Sequence, residues 1–427
     1  MKMCWREWAL AAAMLCVLQG TAAAEGFGMN EWGARGLSLA GGMVGRADDP
    51  SALAYNAAGI TQLPGTHLMA GGSVVAPYGS IEGMLHDGTV RDMQTKPQGW
   101  MPAHFYLTHQ LNDNVWLGLG GFTRYGLGLS YSGQWMGRYD VYDLALQSMS
   151  IVPTVAFKVN DWLSLSVGGE LLYCSLYMGK KNQNPVDALT HTGDIDSQVE
   201  AHGYGGGYQL GLHAKINDQW SVGLAYKSQV SLTMYGDIDF GNVPRLPAPY
   251  NTKFASLRKS DAEGTVVTPD SLALGVSYKP LDNLSFEVGT VWTRWSTYDH
   301  LNMSFDTPYG AESKSRKDFQ DGWNFNASVE WKPYDWWALR AGAYYETPVV
   351  NEDHADFMMP TYGRTGLTLG TGFMWNDFTL DLAYAHLMIN SLDYDSTDNH
   401  GVTSTLATAK AEDCVANIYS VSLSYAF

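Results

Sequence analysis

The chain has 427 residues and a formal net charge of −17, with 26 Lys and Arg against 43 Asp and Glu. That balance offers nothing to a nucleic-acid backbone and no long-range pull on an anionic ligand. Only 16% of residues are charged, while 13% are aromatic and 46 are glycine. An ordinary soluble domain is about 25% charged, so the composition fits strands with one face in lipid and the other in a polar lumen.

The first stretch, MKMCWREWALAAAMLCVLQGTAAA, has a basic start at Lys2 and Arg6, an apolar run from Ala9 to Leu18 and small residues at Ala22, Ala23 and Ala24. It reads as a secretory signal peptide over 1–24, removed in the mature protein. Its apolar run is shorter than the ~20 residues of a spanning helix, and no later run is long enough. Cys16 follows Leu15, where a lipoprotein signal carries Gly or Ala. Removing Lys2, Arg6 and Glu7 takes the mature charge to −18. Cys174 and Cys414 remain; an exported pair either forms a disulfide or stays as two small hydrophobic residues.

Residues 25–64 come next and lack strand alternation. Within them, ADDPSALAYNAAGITQL predicts a short helix from Pro50 to about Ala58, with Asp49 as N-cap, Pro50 at the first position and Gly59 ending it. A segment of this size and small-residue content fits inside a large barrel as a hatch or plug. A periplasmic tail is the plainer alternative.

From residue 65 to 427 the pattern is strand, tight turn, strand, long loop. Leu163, Leu165, Val167 and Leu171 alternate with Ser164, Ser166 and Glu170. Trp323, Phe325, Ala327, Val329 and Trp331 alternate with Asn324, Asn326, Ser328 and Glu330. This is period two with an apolar outside, and Trp and Tyr crowd the strand ends as an interfacial girdle. The alternation predicts about 14 antiparallel strands, at 66–77, 101–111, 114–129, 146–158, 162–176, 204–216, 220–233, 267–279, 283–295, 319–331, 336–347, 365–376, 379–389 and 415–427. Six Asn-, Asp- and Pro-rich turns such as LNDN, VNDW and WNDF face the periplasm. The long loops face outward, the third over 177–203 and the fourth over 234–266. The expected fold is an all-β transmembrane barrel with the N-terminal hatch inside its lumen. A soluble sandwich or propeller also alternates, but the turn-and-loop rhythm and the terminal Phe427 favour the barrel.

No metal spacing such as HExxH and no GxSxG elbow is present. GYGGGYQLG (203–211) is similar to a phosphate loop but lies in a strand with no helix after it. Enzyme chemistry and a cofactor are therefore not expected.

Several stretches, taken in order, resemble the FadL family of outer-membrane long-chain fatty-acid and hydrocarbon transporters (OMPP1/FadL/TodX type). These are GFGMNEWGARGLSLAGG with ADDPSALAYNAAGI, TRYGLG with QWMGRYD, PTVAFKVNDWLSLSVGG, GYQLGLHAKINDQWSVGLAYKSQV, TRWSTYD and LRAGAYYETPV. The resemblance covers essentially the whole mature chain. It implies a fourteen-stranded barrel plugged by an N-terminal hatch, in the outer membrane of a Gram-negative bacterium. Ligand is caught between the third and fourth outer loops, passes to a site near the hatch N-terminus, and leaves sideways into the bilayer at a kink in the third strand. The family's hatch signature, Asn-Pro-Ala, is set against that kink. Here it is Asn56, Ala57 and Ala58, followed by Gly59, with the proline missing.

The matching kink falls at Thr123, Arg124, Tyr125 and Gly126, just after Gly120 and Gly121. Such glycines also relieve crowding in a curved wall. A carboxylate needs a cation or several donors at its buried end. The resemblance points to Lys180 and Lys181 at the third loop, and to Lys314, Arg316 and Lys317 at the fifth. Solvated loop charges, or charges on lipopolysaccharide phosphate, are the alternative. Lys158, Lys215 and Arg340 are expected to pair with lumen acids such as Glu170, Glu330 and Asp381. The expected partners are hydrophobic small molecules (long-chain fatty acids, or aromatic and other hydrocarbons), outer-membrane lipid and lipopolysaccharide, with the chain a monomer. A surface structural or adhesive protein is the rival of another class.

Overall fold

A computed structural model describes residues 26–187, 193–246, 254, 257–306, 311–395 and 406–427. The expected signal peptide, 1–24, lies outside the described residues.

Fourteen antiparallel staves form one closed ring. They are β1 (Thr66–Leu85), β2 (Val90–Gln94 and Ala103–Asn112), β3 (Val115–Phe122 and Gly126–Ser130), β4 (Asp143–Lys158), β5 (Leu163–Asn182), β6 (Ile195–Lys215) and β7 (Trp220–Lys227 and Val230–Gly241). There follow β8 (Ser260–Thr268 and Ser271–Leu281), β9 (Leu284–Thr293 and His300–Phe305), β10 (Ala311–Arg316 and Gly322–Tyr334), β11 (Trp337–Glu346), β12 (Arg364–Trp375), β13 (Phe378–Ile389 and Leu392–Asp395) and β14 (Leu406–Ala426). Each pairs with its neighbour, and β1 pairs with β14 from His67↔Ala426 to Leu85↔Leu406, which closes the wall. Closure removes the free edges that lipid could not satisfy.

The alternation sorts the side chains as the sequence predicts. On β10, Asn324, Asn326, Ser328 and Glu330 are buried inside, while Trp323, Phe325 and Trp331 are exposed on the outer face. Exposed aromatics gather near the short turns, including Trp162, Trp220, Tyr334, Trp336, Trp375 and Phe427. No helix of the described residues is long and apolar enough to cross a membrane; the strands do the crossing.

The strands are longer than the alternation implies. β5 runs on to Asn182 and β6 starts at Ile195; β7 continues to Gly241 and β8 starts at Ser260. Much of the expected third and fourth loops is therefore hairpin above the apolar belt. β7 and β8 are also interrupted, at 228–229 and 269–270.

The N-terminal segment holds two short helices, α1 (Ala34–Ser38) and α2 (Ala52–Tyr55), and a 3-10 helix over Ala57–Gln62. The helix expected over Pro50–Ala58 thus stops at Tyr55. Asn56 is extended (φ −152°, ψ 96°), and its side chain accepts the Ala58 N–H at 3.3 Å, starting the 3-10 turn. Ser51 holds the N-cap position. Asp49 instead accepts from the Ser51 N–H at 2.8 Å and its hydroxyl at 2.6 Å.

Contacts with inward-facing groups all round the ring place this segment in the lumen. The Arg35 guanidinium donates to both Glu330 oxygens, at 2.9 and 3.0 Å, and to Asp48 at 2.7 Å. Glu287 of β9 accepts the N–H groups of Val44, Gly45 and Arg46 at 2.8, 3.0 and 2.7 Å. Ser422 of β14 accepts the Ala34 N–H at 2.8 Å. The wall gives way where the backbone touches it: a Cβ at Gly223 would come within 1.8 Å of the Val44 carbonyl oxygen.

Arg340 pairs with Glu330 and with Asp381, each at 2.6 Å. Lys158 and Lys215 do not face lumen acids as expected. They pair with Asp161 and Asp218, three residues on, at the short turns. Cys174 and Cys414 are both free and buried.

Candidate transport site

The wall opens at β3. Its inner piece pairs with β2 as far as His104↔Phe122, and pairing with β4 lapses between Phe122↔Ser150 and Gly126↔Gln147. Beyond Phe122, β3 forms a ladder only with β4; its other edge leaves the β2 ladder and keeps one backbone bond to that stave, from the Lys96 N–H to the Ser130 carbonyl at 2.8 Å. The chain itself partly fills that gap. Gly28 and Tyr125 form an antiparallel bridge: the Met29 N–H donates to the Arg124 carbonyl, and the Gly126 N–H to the Phe27 carbonyl, both at 3.0 Å. The Trp32 indole N–H donates to the Thr123 carbonyl at 2.7 Å.

The four kink residues have separate tasks. Thr123 presents that carbonyl. Arg124 turns inward, buried, and meets Glu170 at 2.6 Å. Tyr125 is buried and donates through its hydroxyl to the Pro269 carbonyl at 3.0 Å. Gly126 gives room, since a Cβ there would lie 2.4 Å from the Met29 sulfur.

Asn56 is not at this break. Its amide donates to the Val44 carbonyl and to the Leu212 carbonyl of β6, both at 2.9 Å, which fastens the segment to a stave three places along the wall. Ala57 is buried with Leu53 and Ile60 against Trp116 and Phe122 of the inner β3 piece. Ala58 is fully buried. Gly59 is crowded by Ala47, whose Cβ would be 2.2 Å from one added here.

Beside the break lies a cavity of about 670 Å³. Gly28, Met29 and Glu31 of the N-terminal segment line one end, and Gly126 to Tyr131 of β3 and the chain just beyond it form a side. Tyr78 and Met101 also line it and are exposed on the outside, so the cavity reaches the outer surface of the wall. Continuous with its lining, through Ile81, Leu129 and Tyr131, is an apolar cluster that includes Phe27, Tyr125, Trp135, Trp295 and Phe357.

The five expected bases divide sharply. Lys314 and Arg316 are exposed and pair with Glu312 at 2.9 Å and Asp318 at 2.5 Å. Lys181 pairs with Asp196 at 3.1 Å and lies over the Tyr142 ring. Lys180 is half-buried, near Asp140. Only Lys317 of the five is buried. It binds Asp356 beneath the outer loops, in a small space it shares with Phe27, Leu127 and Met359. Leu127 and Met359 also line the large cavity, so the two spaces adjoin. The attraction of Asp356 holds the Lys317 ammonium above its usual range despite burial.

Three features were not legible beforehand: the strap at Phe27–Met29, the carboxylate opposite Arg124, and the cavity-lining Trp100 and Tyr131. Each depends on contacts between residues far apart in sequence.

A closed fourteen-stranded wall, apolar outside, with an apolar cavity at a break in one strand, defines an outer-membrane transporter of hydrophobic molecules. Residues 15–427 match the family described as Outer membrane protein transport protein (OMPP1/FadL/TodX), and the chain belongs to that family. It is 22% identical to the long-chain fatty acid transport protein of Escherichia coli, with 97% of each chain covered. A Pseudomonas aeruginosa FadL homologue shares its fold with a TM-score of 0.83 at 18% identity, over 94% of this chain and 100% of that one. The Pseudomonas putida toluene transporter TodX gives 0.70 at 18% identity, over 94% and 99%. These two structural likenesses concern the fold.

Proposed function

We propose that the chain takes up long-chain fatty acids from outside, holds them in the cavity beside β3 and releases them sideways into the bilayer. The observation that carries this reading is the cavity itself. It joins the N-terminal segment to the strand edge that has left the β2 ladder and reaches exposed Tyr78 and Met101 on the lipid side. A greasy molecule gains nothing from a polar lumen when membrane is adjacent. Residues 1–24 are the leader, 25–64 the plug and 65–427 the barrel. The plug blocks straight passage, and Thr123 to Gly126 frame the lateral opening. Lys317, next to Leu127 and Met359, is the cation best placed for a carboxylate.

Aromatic hydrocarbons are the second reading. It is favoured by the salt-bridge partners of Lys181, Lys314, Arg316 and Lys317, which leave none of these four cations idle. Uptake of labelled oleate and of toluene by a transporter-deficient strain carrying this chain separates the two. Oleate uptake supports the fatty-acid reading. Toluene uptake alone keeps the route and changes the cargo. Neither, with the barrel inserted, removes the proposal.

A further inference from the structure

At the break the two edges of the wall overlap instead of meeting side by side. On β3, Tyr125 and Leu129 are buried within the barrel, so Gly126 and Gly128 turn to the outer face. Across the seam stands Trp100, in the interval between the two pieces of β2. Its backbone is bridged to Val75 of β1 by hydrogen bonds of 2.8 and 2.9 Å. Val75 packs against the lumen cluster of Ala34 and Leu37, and residues directly opposite in a ladder share a face, so Trp100 points inward. The outer face of one edge therefore lies against the inner face of the other, with the Trp100 indole in the step. A Cβ at Gly128 would come within 1.8 Å of that ring, so the close seat requires a glycine.

Little else holds this length of seam shut. Between the pair His104↔Phe122 and the bond from Lys96 to Ser130, no backbone hydrogen bond joins the two edges among the described residues. The closure there is made by side chains: Trp100 of the wall over Gly128, and Met29 of the N-terminal segment over Gly126. Trp100 is half-buried and lines the large cavity with both glycines, and Met101 beside it is 79% exposed. The indole thus stands where the cavity meets the outer surface. Because its backbone is tied to β1, the ring can turn about its side-chain torsions without unzipping the ladder.

We propose that the Trp100 indole is the leaf of the lateral opening and sets the width of the cargo that leaves. Single chains and single rings pass between it and the glycine edge of β3; fused ring systems wider than the indole do not. In a close-packed wall, a turning side chain frees only the space it occupied. The inference rests on reading the cavity as the transport route.

The test measures uptake by a transporter-deficient strain carrying the full-length chain, corrected for entry into the strain without it. Two matched pairs are used, oleate with pyrenedodecanoate and toluene with pyrene. Within the pair that is transported, the parent should favour the slim member by about tenfold or more. Trp100→Ala should raise the bulky-to-slim ratio about tenfold and Trp100→Phe about threefold. That order follows the size of the leaf, whereas loss of a merely structural side chain would slow both members alike. Should Trp100→Ala not insert, Trp100→Phe and the parent's own ratio decide. Equal uptake of slim and bulky cargo by the parent, or an unchanged ratio in the inserted variants, overturns the inference and spares the transport reading. Uptake of none of the four compounds by an inserted parent sinks both.

Discussion

The Arg124 guanidinium meets the Glu170 carboxylate at 2.6 Å with both side chains buried. Its second amino group reaches the carbonyls of Ser228 and Pro269, each at 3.1 Å. Those carbonyls lie at the interruptions of β7 and β8. One side chain, freed by the break in β3, therefore satisfies backbone groups exposed by two other breaks. The opening in the wall is a braced corner, not a slack stretch of strand.

Glu170→Gln leaves the buried guanidinium without its counter-charge. Breaking a buried pair from one side costs about 3–5 kcal/mol. The barrel should then convert to its heat-denatured gel form at a markedly lower temperature. Replacing both partners, as Arg124→Met with Glu170→Leu, should recover part of the loss. A single variant that melts like the parent would show that the pair does not brace the corner.

Gly126→Val fills the space between the outer β3 piece and Met29, where even a Cβ lies 2.4 Å from sulfur. The thioether end can shift, so the wall should survive while the opening narrows. Hydrophobic uptake is expected to fall on the order of tenfold, equivalent to about 1.4 kcal/mol, with the heat-conversion temperature little changed. Normal uptake by a correctly inserted variant would count against lateral release.

Glu287→Ala removes the acceptor of three backbone N–H groups at Val44, Gly45 and Arg46. Buried donors left unmatched cost about 1–3 kcal/mol each, which should loosen the lumen segment without unzipping the ring. Single-channel recordings in planar bilayers should show frequent ion-conducting openings that the parent lacks. A silent variant would mean that the segment is held elsewhere, first by the Arg35–Glu330 pair.

Asp140, on the outer connection between β3 and β4, is pushed up to about 7 by burial and then by the charge of Asp356, with Lys317 pulling the other way. Its folded value lies above the ordinary 3.8. The folded chain therefore keeps a proton that the unfolded chain has lost, and stability falls as pH rises through the folded value. Asp140 also accepts the Phe357 N–H at 2.8 Å, and Phe357 packs edge-on against Trp135. From pH 6 to pH 8 the emission owed to Trp135, obtained by difference against Trp135→Phe, should change with a midpoint near 7. Asp140→Asn should flatten it, and a curve that persists in that variant would assign the proton elsewhere.

The staves were legible because membrane strands write their two environments into alternate residues, as Ser164, Ser166 and Glu170 do against Leu165, Val167 and Leu171. The same signal fails above the bilayer. Around Asp196 and Gln198 the alternation is inverted, with Ile195, Val199 and Ala201 buried inside and the polar residues outward, so a hairpin above the lipid reads as a polar loop. The break at Thr123–Tyr125 announced itself through Gly126 and its resemblance. Its partners did not: Glu170, Ser228 and Pro269 come from three other staves, and nothing in one sequence links them to Arg124. The Asn56 motif divides between two staves. Ala57 packs with Trp116 and Phe122 of β3, while the Asn56 amide finds β6, where Gly211 and Gly223 let the segment's backbone settle.

The bridge between Gly28 and Tyr125 bears on where the proposed leader can be cut. With the leader cut after Ala24, as proposed, Glu25 and Gly26 alone precede Phe27, whose carbonyl binds the Gly126 N–H. A cut after Phe27 would remove that carbonyl and put a charged amine beside an unsatisfied strand edge. On the proposed cut, the site of leader removal would thus also set the end of the strap that seals the wall. A cut displaced by two or three residues would then leave the barrel leaky.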